Sequence, residues 1–354
     1  MDSLQATKVC EKLHLGALVA NPQEVSGGLL HRMWRIVTSR GTFAVKQLNP
    51  ERLRIPGARQ RHRVTEQISD AFADRGLPAV TALRHGEDYL REIDGITVLI
   101  YPWIKGVVLP PDPVNPERCW QIGFALGRMH ALWLRILDLE FTYAFPYPSF
   151  SDEHWTRLTQ QACEVGMPRA GTIACSLSEL IKYNAEYTRA RKELRRITVV
   201  SHRDLDQKNV LWSDPLSFAI IDWEAAGLIN PAMELVVVAL NWSGLRAGQC
   251  QREALEAVIR GYHNAGGAVH TSARVALYGC VGKWLNWLEY NLQRSLKHDI
   301  CAEELRIALC EIDMTLATLR LLESHIEEWT EWLELAALNQ KRSGPQSKLL
   351  SGPQ

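Results

Sequence analysis

At 354 residues, the chain is long enough for one large domain or for two lobes around a cleft. The formal net charge is zero, so no overall field attracts nucleic acid or a membrane surface. The eight cysteines form no C-x-x-C pair, the N-terminal segment lacks the apolar core of a secretion signal, and no apolar run approaches the ~18 residues of a membrane span. We therefore expect a cytoplasmic protein without nucleic-acid or membrane partners.

The N-terminal part is dominated by strand-like patterns. A short amphipathic helix is predicted over 3–15, two strands joined by a turn over 34–37 and 42–46, and another strand over 96–101. Between them, apolar residues at helical spacing predict a helix over 61–75. These patterns indicate a small antiparallel sheet with one main helix.

A proline-rich segment over 110–116 leads into a mainly helical remainder. Asn115 and Pro116 are a good cap and first-turn pair for a helix to about 137. Further helices are predicted over 177–196, 232–242, 273–296 and 302–337. The predicted division is an N-terminal lobe over 1–103, a C-terminal lobe over 104–340 and a tail over 341–354, whose Ser, Gly, Pro and Gln predict disorder.

The stretch most specific for chemistry lies at 199–224, VVSHRDLDQKNVLWSDPLSFAIIDWE. Asp204 lies in a His-Arg-Asp-Leu turn, Asn209 follows it five residues later, and a second apolar run ends in Asp222. Two strands flanking a loop would bring these three side chains around one small volume. Phosphoryl transfer needs this set, because one carboxylate accepts a hydroxyl proton while an amide oxygen and a second carboxylate hold Mg²⁺ on the phosphates.

These loops resemble those of the aminoglycoside phosphotransferase and choline kinase family, small-molecule kinases with a protein-kinase-like fold. The resemblance runs from about residue 26 to about 242 and more loosely to 332. It implies an α+β, bilobal fold with a small N-terminal antiparallel sheet lobe that carries one helix and a larger, mainly helical C-terminal lobe. Family members usually have glycine where this chain has Arg203, and we expect His202 and Arg203 to brace the loop. Trp223 and Glu224 follow Asp222 where protein kinases have Phe-Gly, which favours the small-molecule group.

The resemblance also implies a nucleotide site for ATP, with GTP as an alternative donor. Lys46 ends a strand upstream of the catalytic loop and is the expected contact to the α- and β-phosphates. Glu66 lies off the apolar stripe of its helix and is the candidate partner of Lys46 in the nucleotide-bound enzyme. The expected loop over the phosphates is Ser26, Gly27 and Gly28, and the expected hinge that presents backbone groups to adenine includes Tyr101 and Trp103.

In this scheme Asp204 is the catalytic base, and Asn209 and Asp222 hold Mg²⁺. The acceptor is a hydroxylated small molecule, and a polycationic aminosugar would need acidic residues near the base. The candidates are Asp206, Glu224, Glu234 and Glu289.

The resemblance favours an aminoglycoside or a related antibiotic as the acceptor. The alternative is a housekeeping kinase of choline, an amino alcohol, a sugar or another metabolite. A choline kinase would need an aromatic cage, for which Trp223, Trp284 or Trp287 could serve. A macrolide kinase would need a wider and more apolar site. A pseudokinase scaffold is disfavoured because every group that the chemistry needs is present. We expect a monomer or a homodimer.

Overall fold

The N-terminal part of the chain folds into an antiparallel sheet with the strand order β1-β2-β3-β5-β4. The computed structural model describes residues 1–25, 31–136 and 146–343, with side chains described as far as residue 336. The strands are β1 (Gln23–Val25), β2 (Arg32–Thr38), β3 (Gly41–Gln47), β4 (Arg91–Ile93) and β5 (Ile96–Pro102).

Three helices accompany the sheet in the described part of the chain: α1 (Ser3–Lys12), α2 (Pro50–Leu53) and α3 (Ala58–Ala73). A capping box formed by Asp2 and Gln5 begins α1. The predicted stripe of α3 is buried, with Val64, Ile68 and Phe72 fully out of water. Sequence reasoning missed the single turn of α2.

Apolar side chains cover both faces of the sheet, because successive residues of a strand point to opposite faces. Trp34 and Val98 pack in a cluster with Val9 of α1. Leu99, the next residue on β5, belongs instead to a second cluster with Leu48. Each face of the sheet is therefore packed against an apolar cluster.

The stretch with the chemical motif is tied to the unit that carries the sheet. One compact unit comprises Met1–Pro110, Trp133–Ala144 and Val200–Leu228, as far as these ranges are described. Ile220 donates its N–H to the Pro78 carbonyl at 2.7 Å, and Val107 exchanges two backbone hydrogen bonds with Trp212 at 2.9 and 3.0 Å. The strands of this stretch pair as β6 (Val199–Ser201) with β9 (Gly227–Ile229) and as β7 (Val210–Trp212) with β8 (Phe218–Ile220).

The second compact unit, formed by the described residues of 111–132, 145–199 and 229–354, is helical. A Cβ on Gly123 would lie 2.0 Å from the Val258 carbonyl oxygen, and one on Gly261 would lie 2.0 Å from that of Trp120. Only glycine fits where two backbones approach so closely. The helices are α4 (Pro116–Ala131), α5 (Asp152–Glu164), α6 (Ala170–Leu194), α7 (Pro231–Ser243), α8 (Arg252–Asn264), α9 (Ala273–Ser295), α10 (Ala302–Ser324) and α11 (Ile326–Ser343).

The predicted fold class is confirmed, since the protein is α+β with an N-terminal antiparallel sheet and a helical C-terminal part. The single helix predicted over 302–337 is wrong, because α10 ends at Ser324 and α11 begins at Ile326. His325 lies at this break, and its ring stacks on Trp329 with 5.1 Å between centroids. No glycine or proline marks the break. Two other helices, α5 and α8, were also not predicted from the sequence.

The predicted domain boundaries at 103/104 and 340/341 stay predictions, and the compact units divide the chain differently. The first unit takes in 200–228 because of the backbone hydrogen bonds described above. Of the predicted tail, α11 includes residues as far as Ser343, and 344–354 lie outside the described residues. No helix of the described chain has both the length and the apolar character needed to cross a membrane.

Candidate active site

His202 holds the turn that follows β6, and its ring is fully buried. Its Nε2 lies 3.0 Å from the Ile221 carbonyl oxygen, and the Asp204 backbone N–H donates to Nδ1 at 3.3 Å. Because Nδ1 accepts a hydrogen bond, Nε2 carries the proton and donates to Ile221. The histidine therefore braces the loop and connects it to the segment that delivers Asp222.

Arg203 has a φ of +68°, in the left-handed region that favours glycine. A side chain there costs about 1–2 kcal/mol relative to the right-handed region. This conformation explains why glycine is the usual residue at this position in the family that the sequence resembles. The turn needs the backbone conformation, and this chain adopts it with an arginine.

The Asp204 carboxylate is partly exposed and is oriented by the loop that follows it. The Asn209 side-chain N–H₂ donates to the Asp204 carbonyl oxygen at 2.8 Å and to Oδ2 at 3.0 Å. The Lys208 ammonium lies 3.1 Å from the same Oδ2. Sequence reasoning missed Lys208, although a basic residue four positions after the expected base was a visible signal.

Trp223 fixes the tight 3₁₀ turn that carries Asp222 and Glu224 on either side of it. The indole is buried, and its ring centroid lies 4.6 Å from that of His202. Asp222 adopts a φ of +59° and a ψ of +64°, a conformation that Asp and Asn tolerate better than other side chains. The anchored turn therefore projects two carboxylates towards one cation, Lys46.

Lys46 lies on β3, and its buried ammonium is 2.7 Å from Asp222 Oδ1 and 2.7 Å from Glu224 Oε2. Burial alone would lower the pKa of Lys46, but the two carboxylates outweigh it and raise that pKa above its usual value. Burial alone would raise the pKa of Asp222, but Lys46 outweighs it and the pKa is lowered. At neutral pH the site therefore contains a lysine cation beside an aspartate anion.

The ion pair predicted between Lys46 and Glu66 is not formed in the structure. Glu66 accepts from the Tyr101 hydroxyl at 2.6 Å and from the Ala82 backbone N–H at 3.1 Å. Burial raises the pKa of Glu66 to about 7, although these donors and the charge of Lys46 oppose the shift. Pairing in the nucleotide-bound enzyme stays a prediction.

The segment predicted to present backbone groups to adenine begins at the end of β5. The Trp103 N–H donates to the Thr42 carbonyl at 3.0 Å, so the sheet already engages this donor. The Arg35 guanidinium lies 5.1 Å from the Trp103 ring centroid. The three residues predicted for the phosphate loop lie outside the described residues, and their role stays a prediction: Ser26, Gly27 and Gly28.

Two histidines beside Lys46 were not predicted from the sequence. His31 Nε2 lies 3.5 Å from Glu224 Oε2, and the rings of His31 and His62 meet edge to face with 5.6 Å between centroids. Burial, and then the charge of Lys46, lower the pKa of each histidine to about 4, so both are neutral at pH 7. His31 directly precedes β2 and His62 lies in α3, and a lone histidine at such a position has no spacing signal, which is why the sequence did not single them out.

The predicted Mg²⁺ ligands, Asn209 and Asp222, offer atoms of the right kind. The Asn209 amide nitrogen is engaged by Asp204, which leaves the amide oxygen on the opposite side. The Asp222 side chain is 40% exposed and uses Oδ1 on Lys46. Mg²⁺ prefers such oxygen ligands and completes its shell with phosphates and water. The described residues contain no cluster of three or more His, Cys, Asp or Glu suited to a metal. The two residues would therefore share the ion with phosphates and water.

Two of the four predicted acceptor residues lie in the first compact unit, and both have protein partners. Asp206 accepts from the Gln207 N–H at 2.8 Å and caps a 3₁₀ turn. Glu224 lies on Lys46, as described above. Asp206 therefore caps a turn, and Glu224 lies with the lysine expected to bind phosphates. The predicted roles of both residues at the acceptor stay predictions.

The other two lie in the second unit. Glu234 Oε2 is 3.0 Å from Nε2 of His130, and both side chains are almost completely buried. Glu289 accepts from the Gln293 amide at 2.8 Å and lies 3.2 Å from His154 Nε2. The contacts of Glu234 are structural and give no support for acceptor binding. Glu289 is partly exposed, and its predicted role is untested.

The model of the phosphotransferase enzyme family APH matches residues 22–275, most of the chain. A comparison with curated proteins gives no match. Among solved structures, a spectinomycin phosphotransferase in complex with ADP and spectinomycin is 11% identical, with a TM-score of 0.64 over 90% of this chain and 98% of that chain.

An ethanolamine kinase from Plasmodium vivax is 15% identical, with a TM-score of 0.56 over 85% of this chain and 80% of that chain. A choline kinase from Cryptosporidium parvum is 10% identical, with a TM-score of 0.56 over 97% of this chain and 99% of that chain. At these identities the likeness shows the fold alone, and that fold is the one expected from the sequence motifs. With the family match over most of its length, the chain belongs to the APH phosphotransferase enzyme family and is a small-molecule kinase.

Proposed function

We propose that this protein is an ATP-dependent O-phosphotransferase that transfers the γ-phosphoryl group to a hydroxyl of a small molecule. The observation that carries the proposal is the arrangement of Lys46, Asp204, Asn209 and Asp222 in one compact unit. Asn209 contacts Asp204 at 3.0 Å, and Lys46 contacts Asp222 at 2.7 Å. A scaffold without activity would not need this set of groups.

In the proposed reaction, Asp204 accepts the proton of the acceptor hydroxyl while the new oxygen–phosphorus bond forms. The bond from the γ-phosphorus to the bridging oxygen breaks, and ADP leaves with its electron pair. Most of the rate gain comes from positioning and from electrostatic stabilisation, because a hydroxyl needs only modest help from a base in such a transfer. The contacts of Asp204 with Asn209 and Lys208 fix its orientation for this step.

Lys46 would bind the α- and β-phosphates with an N–H that its two carboxylate partners leave available, since an ammonium has three donors. Asn209 and Asp222 would hold Mg²⁺, which screens phosphate charge and orients the nucleotide. Parallel assays with ATP and GTP would test the choice of phosphoryl donor. Removal of Mg²⁺ with a chelator should stop turnover with either nucleotide.

For the acceptor we propose an aminoglycoside or a related antibiotic. Support comes from the shared fold of the spectinomycin phosphotransferase, which has the highest TM-score of the three structures compared above. In this chain, Glu289 is the one predicted acceptor residue that is partly exposed and does not contact Lys46.

One observation favours a second candidate, a kinase of an amino alcohol or of another hydroxylated metabolite. Asp206, Glu224 and Glu234 are engaged by protein partners, which leaves fewer carboxylates for a polycation. The ethanolamine and choline kinases share the fold. An aromatic cage would depend on Trp287, since Trp223 and Trp284 are buried.

A screen for ADP release against aminoglycosides, aminocyclitols, macrolides and amino alcohols separates these candidates. With the best acceptor, Asp204→Asn should lower turnover by about 10²–10⁴-fold, the usual value of general-base assistance. Nucleotide affinity should barely change, because the expected nucleotide contacts lie on other residues.

A matched control is Asp313→Asn, which removes an exposed ion pair with Arg169 in the second unit. This variant should retain wild-type turnover. An Asp204→Asn enzyme as fast as the wild type would contradict the mechanism. A wild type that binds nucleotide but phosphorylates no acceptor would favour the scaffold.

A further inference from the structure

The contacts around Lys46 identify a carboxylate partner that differs from the expected one. Both oxygens of Glu66 are engaged, one by the Tyr101 hydroxyl at 2.6 Å and the other by the Ala82 N–H at 3.1 Å. Glu66 is only 3% exposed, whereas the Glu224 side chain is 26% exposed and lies 2.7 Å from the ammonium. Glu66 therefore belongs to a buried hydrogen-bond network, and Lys46, its expected partner, contacts Glu224 instead.

A chain of contacts orients Glu224 in turn. The Asn49 backbone N–H donates to His31 Nδ1 at 3.0 Å. This bond places the ring proton on Nε2, which points to Glu224 Oε2 at 3.5 Å. His31 is buried, so its ring has little freedom to turn away.

We propose that Glu224, oriented by His31, is the carboxylate that positions Lys46 for the nucleotide phosphates. The inference rests on the proposed function, because it concerns how a nucleotide-dependent kinase aims its phosphate-binding lysine. Glu224 and Asp222 lie on one turn anchored by Trp223, so one rigid element sets both the lysine and the expected metal ligand. Two of the three ammonium donors are then engaged by carboxylates, which leaves a third donor for a phosphate.

The test is a double-mutant cycle with nucleotide affinity as its readout. The variants are Glu224→Gln, Lys46→Met and the pair, and the probe is a non-hydrolysable ATP analogue with Mg²⁺, measured by isothermal titration calorimetry. Glu224→Gln should raise the Kd about 10-fold, and it should have little further effect once Lys46 is Met, because residues that act as a unit are non-additive. Circular dichroism and thermal unfolding confirm that each variant is folded.

Two comparisons sharpen the cycle. Glu92→Gln is the matched control, because Glu92 lies on the sheet that carries Lys46 and the change removes only an exposed ion pair with Arg59 of α3. The Kd of this variant should stay at the wild-type value. His31→Gln retains a donor near the position of Nε2 and should keep more affinity than His31→Ala. Equal losses in the two His31 variants would overturn the role of the histidine.

The remaining outcomes decide the proposal. Additive effects of Glu224→Gln and Lys46→Met would overturn it, and so would tighter binding by Glu224→Gln, which would make Glu224 a competitor of the phosphates. If the effect of Glu66→Gln on the Kd is non-additive with that of Lys46→Met, and the effect of Glu224→Gln is additive, then Glu66 is the carboxylate that positions the lysine. If the wild type binds no Mg²⁺–nucleotide, the proposed function fails and this inference fails with it. If the wild type binds and Glu224→Gln binds equally well, only the inference fails.

Discussion

Two clusters in this molecule place a glutamate beside a nitrogen base, and they differ in their access to solvent. In the first unit, Lys46 contacts Asp222 and Glu224, whose side chains are 40% and 26% exposed. In the second unit, His130 contacts Glu234, and these side chains are only 2% and 1% exposed. Similar groups at similar distances therefore lie in one open cluster and one sealed cluster.

The sealed cluster joins three helices. His130 belongs to α4, Glu234 to α7 and Tyr262 to α8, and the Tyr262 hydroxyl lies 2.9 Å from His130 Nδ1. A buried polar group is costly unless it is hydrogen-bonded, so such a network fixes one arrangement of the helices. In the open cluster the two carboxylates beside the buried lysine keep a side towards solvent, where a cation can bind. Exposure, more than residue type, separates a binding cluster from a structural one.

The largest expected effect comes from the open cluster. Asp222→Asn keeps a residue that tolerates the left-handed backbone but removes the negative charge. Since metal-ion stabilisation of phosphoryl transfer is worth several kcal/mol, turnover should fall by about 10³-fold or more. The measurement is acceptor-dependent ADP release over a range of Mg²⁺ concentrations. Near-normal turnover at any practical concentration would exclude Asp222 as a metal ligand.

A smaller effect is expected at Glu66, which belongs to the first unit but is buried, like the residues of the sealed cluster. Burial raises its pKa from 4.5 to about 7, so the folded state holds this proton more tightly than the unfolded chain. The stability that the neutral form contributes is complete below pH 4.5 and is lost as the pH rises through about 7. The side chain at this position in the Glu66→Gln variant does not titrate. Between pH 4.5 and about 7, the free energy of unfolding of the wild type should therefore fall by roughly 3 kcal/mol relative to that of the variant.

Urea unfolding of both proteins at pH 5 and pH 8 measures this difference. His31 and His62 have lowered pKa values and contribute a slope of the opposite sign, since stability from neutral histidines is lost as the pH falls below 6.5 towards 4. Both proteins contain these histidines, so their contribution cancels in the comparison. A difference that stays constant from pH 5 to pH 8 would show that Glu66 does not titrate in this interval.

The smallest expected effect comes from the sealed cluster. Tyr262→Phe removes the hydroxyl that contacts His130 and donates to the Ala268 carbonyl at 3.2 Å. Loss of a buried hydrogen bond should lower the free energy of unfolding by about 1–3 kcal/mol, while kcat/KM of the folded enzyme stays unchanged. A selective loss of kcat/KM with unchanged stability would contradict the structural role of this cluster.

The sequence alone was sufficient for many of the local features of this protein. Apolar periodicity predicted the main strands and most of the helices, because the spacing of buried residues reflects the geometry of each element. The spacing of Asp204, Asn209 and Asp222 indicated phosphoryl transfer, and the family match agrees with that interpretation. The break between α10 and α11 was missed because a stacked His325 marks it, without glycine or proline.

Only the tertiary structure decided which side chains became partners. Lys46 and Glu224 are separated by 178 residues, and Glu66, the partner expected from helix position, is instead held by Tyr101 and Ala82. Glu234 was a candidate for the acceptor site because it is acidic, but its carboxylate is buried against His130. Local spacing determines where a carboxylate lies on its own element. Its exposure and its partner depend on which distant segments pack around it, and no local pattern encodes that choice.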